Sequence, residues 1–114
     1  MLPGEIRALD PGRNTSKLRV GEFDLDGPYF PGKLLGDRVT LCVRPEQLST
    51  TARNGRPGPN QIPTELKRAL ETPHGMRLEF DNGVLVDLAR AEYDRLRDTK
   101  EWVIQFPSTS LRIL

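Results

Sequence analysis

Glycine and proline punctuate this chain so densely that long regular elements are excluded: ten of each stand among 114 residues. Proline lacks an amide donor and glycine loses the most backbone entropy on ordering, so segments between such breakers stay short. Between the breakers, apolar and polar residues alternate, which is the period of a half-buried strand. The expectation is a mainly β domain.

Glu5–Leu9 alternates Ile6 and Ala8 with Glu5 and Arg7, then meets a turn at Asp10-Pro11-Gly12. In Lys17–Leu25 the alternation of Leu18, Val20, Phe23 and Leu25 slips by one residue at Gly21, where a bulge would restore the register. Gly27–Gly32, with two prolines, reads as a connection. Arg38–Arg44 is a strand, with Val39, Leu41 and Val43 on one face and Pro45 closing it. Met76, Leu78 and Phe80, then Asn82-Gly83, then Val84, Val86 and Leu88 predict a hairpin. Ala89, Tyr93 and Leu96 fall on one face of a short helix over Ala89–Arg97. Trp102, Ile104 and Phe106 form a strand ending at Pro107, and Leu111 and Ile113 suit a terminal edge strand.

An internal echo runs through these strands. Val39-Leu41-Val43 with Leu48 repeats as Trp102-Ile104-Phe106 with Leu111 at an offset of 63, and a proline follows each strand. Glu5–Leu9 faces Leu66–Leu70 at an offset of 61. Local propensity favours a helix over Glu65–Glu71 and the repeat favours a strand; the strand is preferred, because tertiary context overrides propensity in short segments. The Pro- and Gly-bearing stretch 49–64 has little to bury and reads as a linker. One domain over 1–114 is expected, with half-repeats of about 1–52 and 62–114. Two units too small to bury their own faces would close on one another into a small barrel or sandwich, with one short helix.

Seventeen basic and sixteen acidic residues leave a formal charge of +1, which supplies no field for a polyanion, so nucleic acid is disfavoured. No apolar run approaches the ~20 residues of a membrane span, and a soluble chain is expected. Neither a phosphate loop nor a dinucleotide fingerprint occurs, and no cofactor site is expected. Cys42 and His74 are the only soft ligands, too few for zinc. Catalysis is not expected either. Ser49, Ser108 and Ser110 lack a base; His74 sits in a turn; Asp24, Asp26, Glu79 and Asp81 read as a solvated strand face. Arg13, Lys17 and Arg19 with Phe23, Tyr29 and Phe30 offer a minor alternative, a stacking groove for single-stranded nucleic acid.

Arg44-Pro45-Glu46 stands out, a charged pair bracketing a proline where a buried strand ends. It serves either as a strand-end clamp or as a partner contact. The stretch Gly36-Asp37-Arg38-Val39-Thr40-Leu41-Cys42-Val43-Arg44-Pro45-Glu46-Gln47-Leu48 resembles the signature of the TOBE (transport-associated OB) domain. That module follows the ATPase domain in ATP-binding subunits of ABC importers. Leu2–Ala8 and the closing Ile104–Pro107 and Leu111–Leu114 resemble the two ends of such modules.

The resemblance implies an OB-like small β-barrel built from two half-repeats with one short helix, serving as a non-catalytic regulatory and dimerisation domain of a subunit driving iron, polyamine, sugar or anion uptake. By that resemblance ATP and Mg²⁺ belong to an ATPase domain this chain does not contain. The implied partners are a second copy, the ATPase domain and membrane permease subunits, at the cytoplasmic face of the cell membrane. Trp102, Ile104, Phe106, Leu111 and Ile113 are the expected dimer surface. An alternative is a small-ligand sensor near Arg44, although no segment matches the oxyanion-binding branch of the family.

Overall fold

The computed structural model describes residues 2–114. The chain forms, in order, β1 (Leu2–Asp10), β2 (Thr15–Val20), β3 (Phe23–Pro28), β4 (Arg38–Cys42), a 3-10 turn (Pro45–Gln47), β5 (Ser49–Ala52) and β6 (Gln61–Thr64). There follow β7 (Leu66–Thr72), β8 (Gly75–Phe80), β9 (Leu85–Leu88), α1 (Arg90–Leu96), β10 (Trp102–Gln105), a 3-10 turn (Ser108–Ser110) and β11 (Arg112–Ile113). The fold is mainly β, in three antiparallel sheets with strand orders β11-β4-β1-β2-β3, β5-β10-β6 and β7-β8-β9. Among the described residues none of these sheets closes on itself.

The strand expected over Glu65–Glu71 is present as β7, although its residues are good helix formers. Pairing to β8 along its length supplies what local propensity does not. The Asn82-Gly83 hairpin is also present, built as a three-residue loop. Phe80 donates to the Val84 carbonyl, the Gly83 amide donates back to the Phe80 carbonyl, and Gly83 takes a φ of +84° that a side chain would resist.

Three expectations are corrected. Gly21 is not a bulge: it opens a two-residue turn at φ +60°, with Val20 facing Phe23, so Lys17–Leu25 is two strands. The extra residues in the ladders are Arg7 in β1 and Lys67 in β7. The stretch 49–64 is not one linker, because β5 and β6 occupy its two ends and both pair with β10. Only residues 53–60 cross between them.

Pairing in the two halves runs in parallel. Leu2, Pro3 and Gly4 of β1 face Leu41, Thr40 and Val39 of β4; Ile62, Pro63 and Thr64 of β6 face Ile104, Val103 and Trp102 of β10. This aligns Leu2-Pro3-Gly4-Glu5-Ile6-Arg7 with Ile62-Pro63-Thr64-Glu65-Leu66-Lys67 and brings the two bulges into register. The equivalence at this end is therefore one residue shorter than the sequence echo suggests. The last strand of each half is exchanged: β5 crosses to pair with β10, and β11 crosses back to pair with β4.

The core runs through both halves. Ile6, Leu18, Leu25 and Leu41 are fully buried in the first, and Leu78, Phe80, Trp102, Ile104 and Phe106 in the second. Phe80 meets Trp102 edge to face with ring centres 5.9 Å apart, the arrangement that the ring quadrupoles favour. The Trp102 indole N–H donates to the Thr99 carbonyl, so burying it leaves no donor unpaired. Leu96 anchors α1 to the core, and Tyr93 packs beside it.

Candidate functional site

The signature stretch ends where the two halves interlock. Arg44 is extended (φ −98°, ψ 132°), as the residue before a proline tends to be, and Pro45 opens the 3-10 turn with its preset φ. The Gln47 amide closes the turn on the Arg44 carbonyl at 3.0 Å. Leu48 is buried directly after it, and the chain leaves along β5 into the other half. Pro45 and Leu48 thus set the direction of the crossover. Arg44 and Glu46 are exposed, and neither forms an ion pair among the described residues.

The turn rests against β9, and a cleft of about 530 Å³ lies beside it. Glu46, Pro73, His74, Arg77, Asp87 and Leu88 line it. Arg77 and Asp87 face each other across the β8–β9 ladder in a two-bond ion pair, Nε to Oδ1 at 2.7 Å and Nη2 to Oδ2 at 3.0 Å. The guanidinium hydrogen bond holds the Asp87 carboxyl below its ordinary pKa, and the same bond raises that of Arg77, helped by the Glu46 carboxylate. Two carboxylates, one guanidinium and the exposed His74 give the cleft a polar rim.

A second cleft of about 410 Å³ carries Ala8, Asp10, Arg13, Thr15, Ser16, Lys17 and Asp26. Arg13 lies 3.7 Å from Asp10, and Arg19 is bonded to Asp24 at 2.9 Å. None of Phe23, Tyr29 and Phe30 lines this cleft, so the basic residues and the aromatics expected to share a stacking groove are not gathered in it.

The expected dimer surface is corrected. Trp102, Ile104 and Phe106 are 0% exposed and Leu111 1%, all within the single chain. β10 is the central strand of its sheet and is covered on both faces, so it presents nothing to a second copy. Only Ile113, on the β11 edge, is partly open. The large exposed apolar side chains are instead Leu34, Leu35, Leu70 and Leu114. Leu34 and Leu35 project from a turn that Asp37 braces, its Oδ2 accepting from the Leu34 amide at 2.9 Å.

The remaining singled-out residues are dispersed. His74 is exposed in the β7–β8 turn, and Cys42 is a half-buried free thiol on β4. Ser49 and Ser108 are exposed, while Ser110 spends its hydroxyl on the Pro107 carbonyl. Glu79 pairs with Arg68, and Asp81 sits in the hairpin loop. No group of three or more metal-ligating side chains occurs among the described residues.

One residue that joins the halves escapes sequence reasoning. Asn60 is buried with φ +56°, and its side-chain amide works like a piece of strand. Nδ2 donates to the Asp26 and Phe106 carbonyls at 2.8 and 2.7 Å, and Oδ1 accepts the Asp26 amide at 2.7 Å. The Phe106 amide donates in turn to the Asn60 backbone carbonyl at 2.8 Å. The edge of β3 is thereby fastened to the end of β10. An Asn among Pro57, Gly58 and Pro59 reads as loop chemistry; its tolerance of the left-handed region is the one signal that marks it.

No known family model matches the chain, and no curated protein matches it. No helix among the described residues is long and apolar enough to cross a membrane.

Proposed function

We propose that the chain is a non-catalytic regulatory and dimerisation module of the TOBE type, serving the ATP-binding subunit of an ABC importer. The observation that carries this reading is the Gly36–Leu48 stretch, whose Arg44-Pro45-Glu46 turn stands at the crossover between the halves with both charged side chains directed outward. An OB-like barrel assembled from two half-repeats is the arrangement this reading takes the three sheets to approximate. ATP and Mg²⁺ would act in the ATPase domain, and the module would sit at the cytoplasmic face of the membrane through its partners.

A rigid body with a self-complementary face keeps two motor domains together while they open and close. The faces left for this are the Leu34–Leu35 turn and the β11 edge with Ile113 and Leu114. Sedimentation equilibrium tests the pairing: a dimer at high micromolar concentration that Leu35→Asp or Leu114→Asp dissolves is expected, and a monomer throughout overturns it. A phosphate loop encoded upstream in the same reading frame is the expected genetic correlate.

The cleft beside Glu46 favours a second reading, a small-ligand sensor. Its polar rim suits a ligand carrying both donors and acceptors, and a specific ligand raises the melting temperature by mass action. Thermal scans against molybdate, sulfate, phosphate, iron complexes and polyamines test it; no shift with any of them leaves the scaffold role.

A further inference from the structure

The dipeptide Asn-Gly occurs twice, as Asn54-Gly55 in the crossing from β5 to β6 and as Asn82-Gly83 in the β8–β9 hairpin. In such a pair the asparagine Cγ is an electrophile within reach of a nucleophile, the glycine amide nitrogen, and glycine adds no side chain to obstruct the approach. Reaction needs that nitrogen to give up its proton and the carboxamide to turn toward it.

At Asn82 both groups are engaged. The Gly83 amide donates to the Phe80 carbonyl at 2.9 Å, and Asn82 Oδ1 accepts from the Val84 amide at 3.1 Å. Asp81 precedes them, and a neighbouring carboxylate opposes negative charge on the nitrogen. At Asn54 neither group is engaged. The side chain is exposed, and neither it nor the Gly55 amide forms a hydrogen bond among the described residues. The exposed Arg53 and Arg56 flank the dipeptide, and Arg53 Nε donates to the Gly55 carbonyl at 3.1 Å. Cations so placed favour the deprotonated amide.

We propose that Asn54 is a site of spontaneous deamidation and that the hairpin withholds Asn82 from the same reaction. The Gly55 nitrogen passes its proton to water and attacks Asn54 Cγ. A C–N bond forms there, the bond from Cγ to Nδ2 breaks, and Nδ2 leaves as ammonia with a proton taken from water. Water then opens the five-membered imide at either carbonyl, giving aspartate or isoaspartate. Overall one water is consumed and one ammonia released, with no change of oxidation state. Either product sets a carboxylate between Arg53 and Arg56 and takes the formal charge of the chain from +1 to zero. The isoaspartyl product also adds a backbone carbon to the segment that joins the two halves. Nothing in this site depends on the accessory-module role proposed above.

The test incubates the full chain in mildly alkaline buffer, folded and in urea, and follows each asparagine by peptide mapping with mass spectrometry. In the folded chain Asn54 should convert about tenfold faster than Asn82, which reacts only from an opened hairpin. Urea should speed Asn82 by about as much and leave Asn54 little changed. Asn54→Gln should abolish the first acidic species to appear on ion exchange. A rate at Asn54 no greater than that at Asn82 in the folded chain, or a rate at Asn82 that urea does not raise relative to Asn54, overturns the proposal.

Discussion

Both halves bury an apolar core, but the first has its sheet edge tied by a side-chain amide and the second fills its core with aromatic bulk. Where β4 carries Val39, β10 carries Trp102 at the equivalent pairing position, and only Trp102 meets a second aromatic ring, that of Phe80. Conversely, one buried amide holds the edge of β3 through two hydrogen bonds to Asp26 and ties it to the Phe106 carbonyl with a third, while β9 carries the Arg77–Asp87 ion pair toward solvent. Equivalent ladders can therefore be stabilised by unlike means, because a sheet needs its apolar face covered and its edges satisfied but does not dictate how.

Truncating the aromatic side should have the largest effect. Trp102→Ala is expected to cost about 3–5 kcal/mol in urea unfolding, whereas Val39→Ala at the twin position should cost about 1–2 kcal/mol. Equal losses would break the comparison. Next comes Asn60→Ala, which leaves the Asp26 amide and the Phe106 carbonyl unsatisfied and places alanine at φ +56°; about 2–4 kcal/mol is expected. Asn60→Gly, free of the backbone strain, should recover part of that loss and so separate the two causes.

Gly75→Ala probes the β7–β8 turn, where an added methyl would stand 2.6 Å from the Leu88 carbonyl oxygen. Backbone has to move, and a loss of about 1–3 kcal/mol is expected, against little change for Gly12→Ala in the β1–β2 turn, where the nearest atom is a side-chain oxygen at 3.5 Å.

The smallest effect concerns the ion pair. Because the Arg77 hydrogen bond lowers the Asp87 pKa in the folded state, its contribution is present above the ordinary carboxylate range and is lost as pH falls through the lowered value. Asp87→Asn should therefore lower the melting temperature by about a degree at neutral pH and by nothing once the carboxyl is protonated.

The elements legible in the sequence are those whose own residues decide them. Asn82-Gly83 between alternating runs specifies a hairpin, and Arg90–Leu96 shows its helical face through Tyr93 and Leu96. β5 and β6 were not legible, because four-residue strands with one buried residue each carry almost no alternation and owe their form to β10 between them. The strand of Trp102, Ile104 and Phe106 was legible as a strand but not as interior. Alternation separates two faces without saying that Val103, on the other one, is buried too. Of the candidate site, the proline turn could be read directly, whereas the cleft beside it joins Glu46 to residues some thirty to forty positions away and exists only once β9 meets the turn.

The exchange of β5 and β11 has a consequence for how the chain is made. Arg38–Cys42 waits for Arg112–Ile113, about seventy residues downstream, before its outer side is paired. A ribosome delivering this chain therefore presents a first half whose sheet stays unfinished until Arg112–Ile113 has emerged as well.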